Sequence, residues 1–171
     1  KNAGRLSLNP IKHIDGFGLL MMLMVHVGWA KPVPVDPRYF REPKRGMALT
    51  ALAGPASNFL LATVILGMGS LLYPLGFASE VWAYVVLFLC YTAVLSVGLG
   101  LFNLIPIPPL DGAKIFYAIL PDRLYRVMLR YERYVRYAVV LLAILGVFSG
   151  PLDLCIGWVI RGLCALTRFP F

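Results

Sequence analysis

GMALTALAGPASNFLLATVILGMGSLLYPLGFAS (residues 46–79) is 34 residues without a charge. One residue later VWAYVVLFLCYTAVLSVGLGLFNLIPIPPL (residues 81–110) runs for 30 more. A helix that crosses a bilayer needs about 20 apolar residues, so each run holds one full span. Two spans joined by a short turn make an out-and-back hairpin. The rest of the chain agrees. Of 171 residues, 60% are apolar and 14% charged, against about a quarter charged in soluble domains. The mean hydropathy is +0.78, which excludes disorder and argues against a soluble single-core domain. The fold class expected is an all-α polytopic membrane protein.

Flanking runs are shorter. The uncharged stretch from Gly16 to Ala30 is 15 residues, short for a span and suited to a re-entrant or interfacial segment. It has no small-residue cleavage site at a plausible place and is not read as a signal peptide. Tyr137–Leu152 reaches span length only by extending back past Arg136 and Arg133, which could snorkel to the headgroups. Ser149-Gly150-Pro151 is expected to break that run, leaving Leu152–Leu166 as a short or interfacial helix. The chain is therefore read as one integral membrane domain. Residues 1–45 form a re-entrant and surface segment, 46–110 the two-span hairpin, 111–136 a basic amphipathic segment and 137–171 the C-terminal membrane segments.

Lys and Arg number 16 against 8 Asp and Glu, and they cluster. Lys31, Arg38, Arg41, Lys44 and Arg45 precede the first long run. Lys114, Arg123, Arg126, Arg130, Arg133 and Arg136 follow the second. The turn at 73–80 has neither Lys nor Arg. The positive-inside rule puts residues 31–45 and 114–136 in the cytosol and the turn outside. The charges read as topology signals and contacts with anionic lipid headgroups. They flank spans and make no separate domain, so nucleic acid is not an expected partner. Cys90, Cys155 and Cys164 lie in apolar stretches without CxxC spacing and read as small packing residues.

Polar groups at membrane depth are functional candidates by default. Three prolines in Ile105-Pro106-Ile107-Pro108-Pro109 cannot stay helical. The returning helix must unwind there, beside protein or a water-filled cavity. Asp111 follows the break and Asn103 precedes it, so a carboxylate and an amide are expected to face one cavity. Gly112 would allow close approach. On the residues alone, Asp111 is either functional or the cap of a helix beginning near Ala113. In Ala53-Gly54-Pro55-Ala56-Ser57-Asn58 the small residues permit close packing, Pro55 would kink or start the helix, and Asn58 could bond a neighbouring helix. Asn9-Pro10 favours a turn. His13 and Asp15 are either a metal or acid–base pair or a boundary turn, and His26 reads as a buried, satisfied histidine. Trp29–Pro37 is Pro-rich and extended, an edge that could pair with an extended peptide.

Taken in order, Gly4-Arg5-Leu6-Ser7-Leu8-Asn9-Pro10…His13-Ile14-Asp15, Gly28-Trp29-Ala30-Lys31-Pro32-Val33-Pro34-Val35, Ala53-Gly54-Pro55…Asn58 and Asn103…Asp111-Gly112 resemble the site-2 protease family (M50) of intramembrane zinc metalloproteases. The likeness covers roughly residues 3–135 and is nearest to small bacterial members without a PDZ domain. The resemblance implies a zinc metalloendopeptidase of the bacterial cell membrane that cleaves single-span membrane proteins within the bilayer. It implies Zn2+ as cofactor, Asp111 as the third protein ligand, and Asn103 as the residue that positions substrate or stabilises the oxyanion. The family's other two ligands and its general base lie in a His-Glu-x-x-His helix. These 171 residues contain no such motif, with only His13 and His26 as histidines. In the family that helix precedes the text matching Lys1–Pro10, so the chain is expected to begin after it. Catalytic zinc takes about three protein ligands and an open water position, and a glutamate must take the proton. The alternatives are a non-catalytic pseudoprotease or a complex subunit that binds transmembrane helices. A small transporter with an ion site at the broken helix is a third.

Overall fold

The computed structural model describes residues 14–25, 35–77 and 79–170. Among the described residues six α-helices follow in order: α1 (Gly16–Val25), α2 (Pro43–Leu72), α3 (Glu80–Leu104), α4 (Asp111–Ile119), α5 (Asp122–Ile144) and α6 (Ser149–Thr167). Short 3-10 turns cover Pro37–Tyr39 and Tyr73–Phe77. No strand occurs among the described residues, as expected for the all-α class.

The hairpin is α2 and α3. Pro43 occupies the first helical turn of α2, where a missing N–H costs nothing. The helix then continues through Pro55 to Leu72. Pro55 neither starts a helix nor ends one; it is among the most buried side chains of the protein. Of the small residues beside it, Ala56 and Ser57 are exposed, and Gly54 lies against α4 and not against α3. The approach is made further along. Ala62 and Ala93 are fully buried, and a β-carbon on Gly100 would stand 3.3 Å from both Asn58 Cβ and Phe59 Cε1. Small side chains let two helices lie close in a medium where apolar area alone gives no advantage. The Ser96 hydroxyl donates to the Asn58 carbonyl at 2.9 Å. Asn58 thus bonds the neighbouring helix through its backbone, not its amide.

α6 closes a three-helix bundle. Ala62, Ile65, Leu66, Val86, Ala93, Val97, Ile160, Cys164 and Phe169 form its core. At one end Phe102 meets Phe148 edge to face at 6.0 Å. At the other, Arg168 takes a left-handed conformation (φ 55°), which turns Phe169 back onto Gly69 and onto Tyr73, 5.8 Å away. α6 is therefore antiparallel to α3 and parallel to α2. Residues 43–75, 80–104 and 149–167 are long and apolar enough to cross a membrane. Their outward faces carry Leu60, Val64, Leu71, Phe88, Leu95 and Trp158, all well exposed, as lipid-facing side chains must be.

The C-terminal third departs from expectation. The chain breaks at residues 145–148, where Gly146 has φ 71°. Ser149-Gly150-Pro151 does not break a helix; it begins one. Proline is compatible with a helix's first turn, because the N–H it lacks has no partner there. The last helix gains three residues by this and reaches 19, a possible span instead of the short interfacial piece expected from Leu152. α5 does extend back past Arg136 and Arg133, as far as Asp122, yet it is not among the helices apolar enough to span. α1 has 10 residues, about 15 Å at 1.5 Å per residue and half a hydrocarbon core. The Gly18 N–H donates to Asp15 Oδ1 at 2.9 Å, so Asp15 caps α1, in line with a boundary turn. His13, His26, Lys31 and most of the Trp29–Pro37 stretch lie outside the described residues. Of the cysteines, Cys164 is buried in the core and Cys90 half-buried, but Cys155 is exposed; the packing role holds for the first two.

Candidate functional site

α3 ends at Leu104 because Pro106, Pro108 and Pro109 cannot donate to the helical ladder. The chain turns through residues 105–110, with the Pro108–Pro109 bond cis. It is held by Ile107 N–H to the Ile105 carbonyl at 2.8 Å and Leu110 N–H to the Ile107 carbonyl at 3.0 Å. α4 then starts directly beneath the end of α3. A β-carbon on Gly112 would overlap the carbonyl groups of Leu104 and Ile105. Only glycine permits that crossing, which fixes the position of Asp111 one residue earlier.

Asp111 is the first residue of α4, with Leu110 in the capping position and no side-chain capping bond. α4 thus begins at Asp111 and not near Ala113, and the Asp111 carboxylate makes no capping bond to a backbone N–H among the described residues. Its carboxylate is about a third exposed and is shared between two neighbours. Oδ1 accepts a hydrogen bond from Lys114 Nζ at 2.8 Å, an ion pair one turn along the helix. Oδ2 faces α2, where a β-carbon on Gly54 would stand 3.4 Å away. The fold thus brings together two motifs 57 positions apart, Ala53-Gly54-Pro55 and Leu110-Asp111-Gly112. Both motifs carry the family resemblance in the sequence, but the residues of the first suggest packing and no contact with Asp111. Lys114 reads in the sequence as a topology charge, although its Asp-x-x-Lys spacing is that of neighbours on a helix surface.

Asn103 lies in the last turn of α3, half-buried. Its amide makes no hydrogen bond among the described residues. Among the described residues the other ion pairs are surface ones. Arg38 Nη2 sits 2.9 Å from Asp36 Oδ2 and holds the Asp36 carboxyl below its ordinary value through side-chain and then backbone hydrogen bonds. Lys44 on α2 donates to the Leu120 carbonyl at 3.1 Å and lies over the Tyr125 ring at 5.5 Å. It ties the start of α2 to the α4–α5 junction.

Zinc chemistry needs more donors than this. Among the described residues no group of three His, Cys, Asp or Glu side chains could hold a metal ion. Asp111 offers one ligand of about three that a catalytic zinc takes, and one of its oxygens is already engaged by Lys114. The described residues alone do not make a zinc site.

Comparison with known proteins supplies the context. The profile described as "Peptidase family M50" matches residues 74–146, which includes the proline-broken end of α3, Asn103 and Asp111. The Bacillus subtilis (strain 168) protein named "Putative zinc metalloprotease YwhC" is 38% identical over 136 residues, covering 78% of this chain and 62% of that protein. A Staphylococcus aureus (strain N315) protein, "Putative zinc metalloprotease SA1105", is 37% identical over 75 residues, 35% of this chain and 18% of its own. A Bartonella henselae protein, "Putative zinc metalloprotease BH06270", is 30% identical over 131 residues, 64% of this chain and 36% of its own. The chain thus spans less than two thirds of the length of each of these relatives. No solved structure matches it. The helical membrane hairpin and the Asn103–Asp111 text inside the matched region agree with this similarity to peptidase family M50, the site-2 protease family.

Proposed function

We propose that this chain is part of a zinc-dependent intramembrane protease that cuts membrane-spanning helices of other proteins, in a bacterial cell membrane. One observation carries the reading: Asp111 and Gly54, from separate motifs, meet where the returning span of a membrane hairpin is broken by proline. The family-profile match and the names of the relatives support the chemistry. Asp111 contributes one zinc ligand. The remaining ligands and the general base would have to come from chain outside these 171 residues, which contain no His-Glu-x-x-His. A bound zinc ion would supply a water acidic enough to attack a peptide bond.

The chain's own residues have narrower tasks. The 105–110 loop gives non-helical backbone at the end of a span, against which a substrate helix could unwind and lie extended. The unpaired Asn103 amide is a donor available to the charge that develops on the scissile carbonyl oxygen. Gly54 keeps side-chain bulk away from Asp111. Lys114 holds the carboxylate in place. The test is cleavage of a single-span model substrate by the full-length protein, with and without a zinc chelator. Asn103→Ala should retain zinc and lose about 10² in turnover. Chelator-resistant cleavage, or an Asn103→Ala variant of normal rate, would defeat the assignment.

A further inference from the structure

A cavity of about 850 Å3 opens at the same end of the hairpin, beside Asp111 but not on it. The beginning of α2, the Pro108–Leu110 turn, α4 and α5 enclose it. This is the level at which α2 enters and α3 leaves the spanning layer. Four cations line it (Arg41, Lys44, Arg45 and Lys114), with two carboxylates, Glu42 and Glu132. Both carboxylates are already matched. Glu42 pairs with Arg45 at 2.9 Å and Glu132 with Arg136 at 3.4 Å. Four cations against two carboxylates leave the lining net positive, with Lys114 also paired to Asp111 just outside it. Its inner wall is apolar, with Met47, Leu110 and Ala113. Tyr117, also in the lining, is buried, and its hydroxyl has no hydrogen-bond partner among the described residues. An orphan hydroxyl is costly unless something else bonds it.

We propose that this cavity is a binding site for the headgroup of an anionic phospholipid, with the phosphate among Arg41, Lys44 and Lys114. The occupant follows from three properties together. The volume is that of a small-molecule pocket. The net charge of the lining selects an anion. The apolar wall and the position at the end of two spans select an anion that carries hydrocarbon, which a free phosphate does not. General attraction of a basic surface to anionic lipid would be spread over every exposed Lys and Arg; a site confines it to those lining the cavity. The proposal does not need zinc, although Lys114 is shared with Asp111.

The experiment is lipid titration of the full-length protein in detergent, read by native mass spectrometry, with phosphatidylglycerol against phosphatidylcholine. Phosphatidylglycerol should bind at least about tenfold tighter. Each lost cation should weaken it about fivefold, so Arg41→Gln with Lys114→Gln should lose an order of magnitude or more. Both side chains are substantially exposed, and the double variant should stay folded. Arg130→Gln with Arg133→Gln removes the same charge from exposed positions outside the lining and should cost less than threefold. Equal losses in the two double variants would overturn the site in favour of diffuse attraction. Equal binding of the two lipids would overturn it as well. Displacement of phosphatidylglycerol by millimolar inorganic phosphate would make it a free-anion site and contradict the lipid assignment.

Discussion

Gly54 of α2 lies against the carboxylate of Asp111: a β-carbon at position 54 would stand 3.4 Å from Asp111 Oδ2. That is ordinary van der Waals contact, so a methyl group fits, while a longer side chain directed at Asp111 would meet its carboxylate. Gly54→Ala should keep the site and stabilise the helix by about 0.5–1 kcal/mol, the usual cost of glycine within a helix. Gly54→Leu should leave the fold intact and displace the carboxylate, with loss of cleavage. The pair is checked by thermal unfolding and substrate cleavage side by side. Full activity in Gly54→Leu would mean that the approach has no functional weight.

Gly112 presents the opposite case. A β-carbon there would meet the backbone carbonyls of Leu104 and Ile105, which cannot swing away as a side chain can. Gly112→Ala should destabilise the protein by about 1–3 kcal/mol, the range for overpacking. Equilibrium unfolding in mixed micelles measures it. A stability equal to that of the parent would show that α4 does not cross so closely.

Topology follows from charge. Arg38 and Arg123 should lie on the cytosolic side and Ser79 on the other, because the basic clusters flank only one end of the hairpin. All three are exposed. Single cysteines at these positions, in a chain lacking Cys90, Cys155 and Cys164, report sidedness to an impermeant thiol reagent. Labelling of all three from one side contradicts the hairpin's orientation across the bilayer.

Tyr117 gives a pH dependence. Burial pushes its hydroxyl above the ordinary 10.0, and Glu132 and then Tyr125 act in the same direction. The folded state therefore keeps its proton when the unfolded chain, near 10, has lost it. Stability is unaffected below about pH 10 and falls as pH rises from there toward the folded value. In Tyr117→Phe this component should vanish, so the variant should lose less stability than the parent between pH 9 and 11. Since the hydroxyl has no partner among the described residues, the substitution should cost little at neutral pH. Parallel unfolding curves of the two proteins across that range would contradict the assignment.

The hairpin could be read from the sequence because lipid imposes a simple rule. A span must be apolar for about 20 residues, and 46–79 and 81–110 satisfy it without ambiguity. The proline break before Asp111 was equally legible, since three prolines leave the backbone no helical option. The C-terminal third was not. Ser149-Gly150-Pro151 carries the same residue types whether a helix stops or starts there. The preceding turn, with Gly146 at φ 71°, decides which. The role of Gly54 was hidden for a different reason. Small residues beside a proline suggest helix packing, and only the path of the chain shows a carboxylate from α4 opposite. Lys114 could have been found by its spacing from Asp111, but a cation beside a span end first reads as a topology signal.

The central claim is that Asp111 binds zinc in the complete protein. The direct measurement is zinc per protein in full-length parent and Asp111→Asn, purified in detergent under identical conditions. Asparagine keeps the shape and removes the anionic oxygen that balances the metal charge. The expected result is one zinc per parent molecule, and a zinc content collapsed together with cleavage in the variant, at unchanged folded yield. A full complement of zinc with normal cleavage in Asp111→Asn would contradict the account.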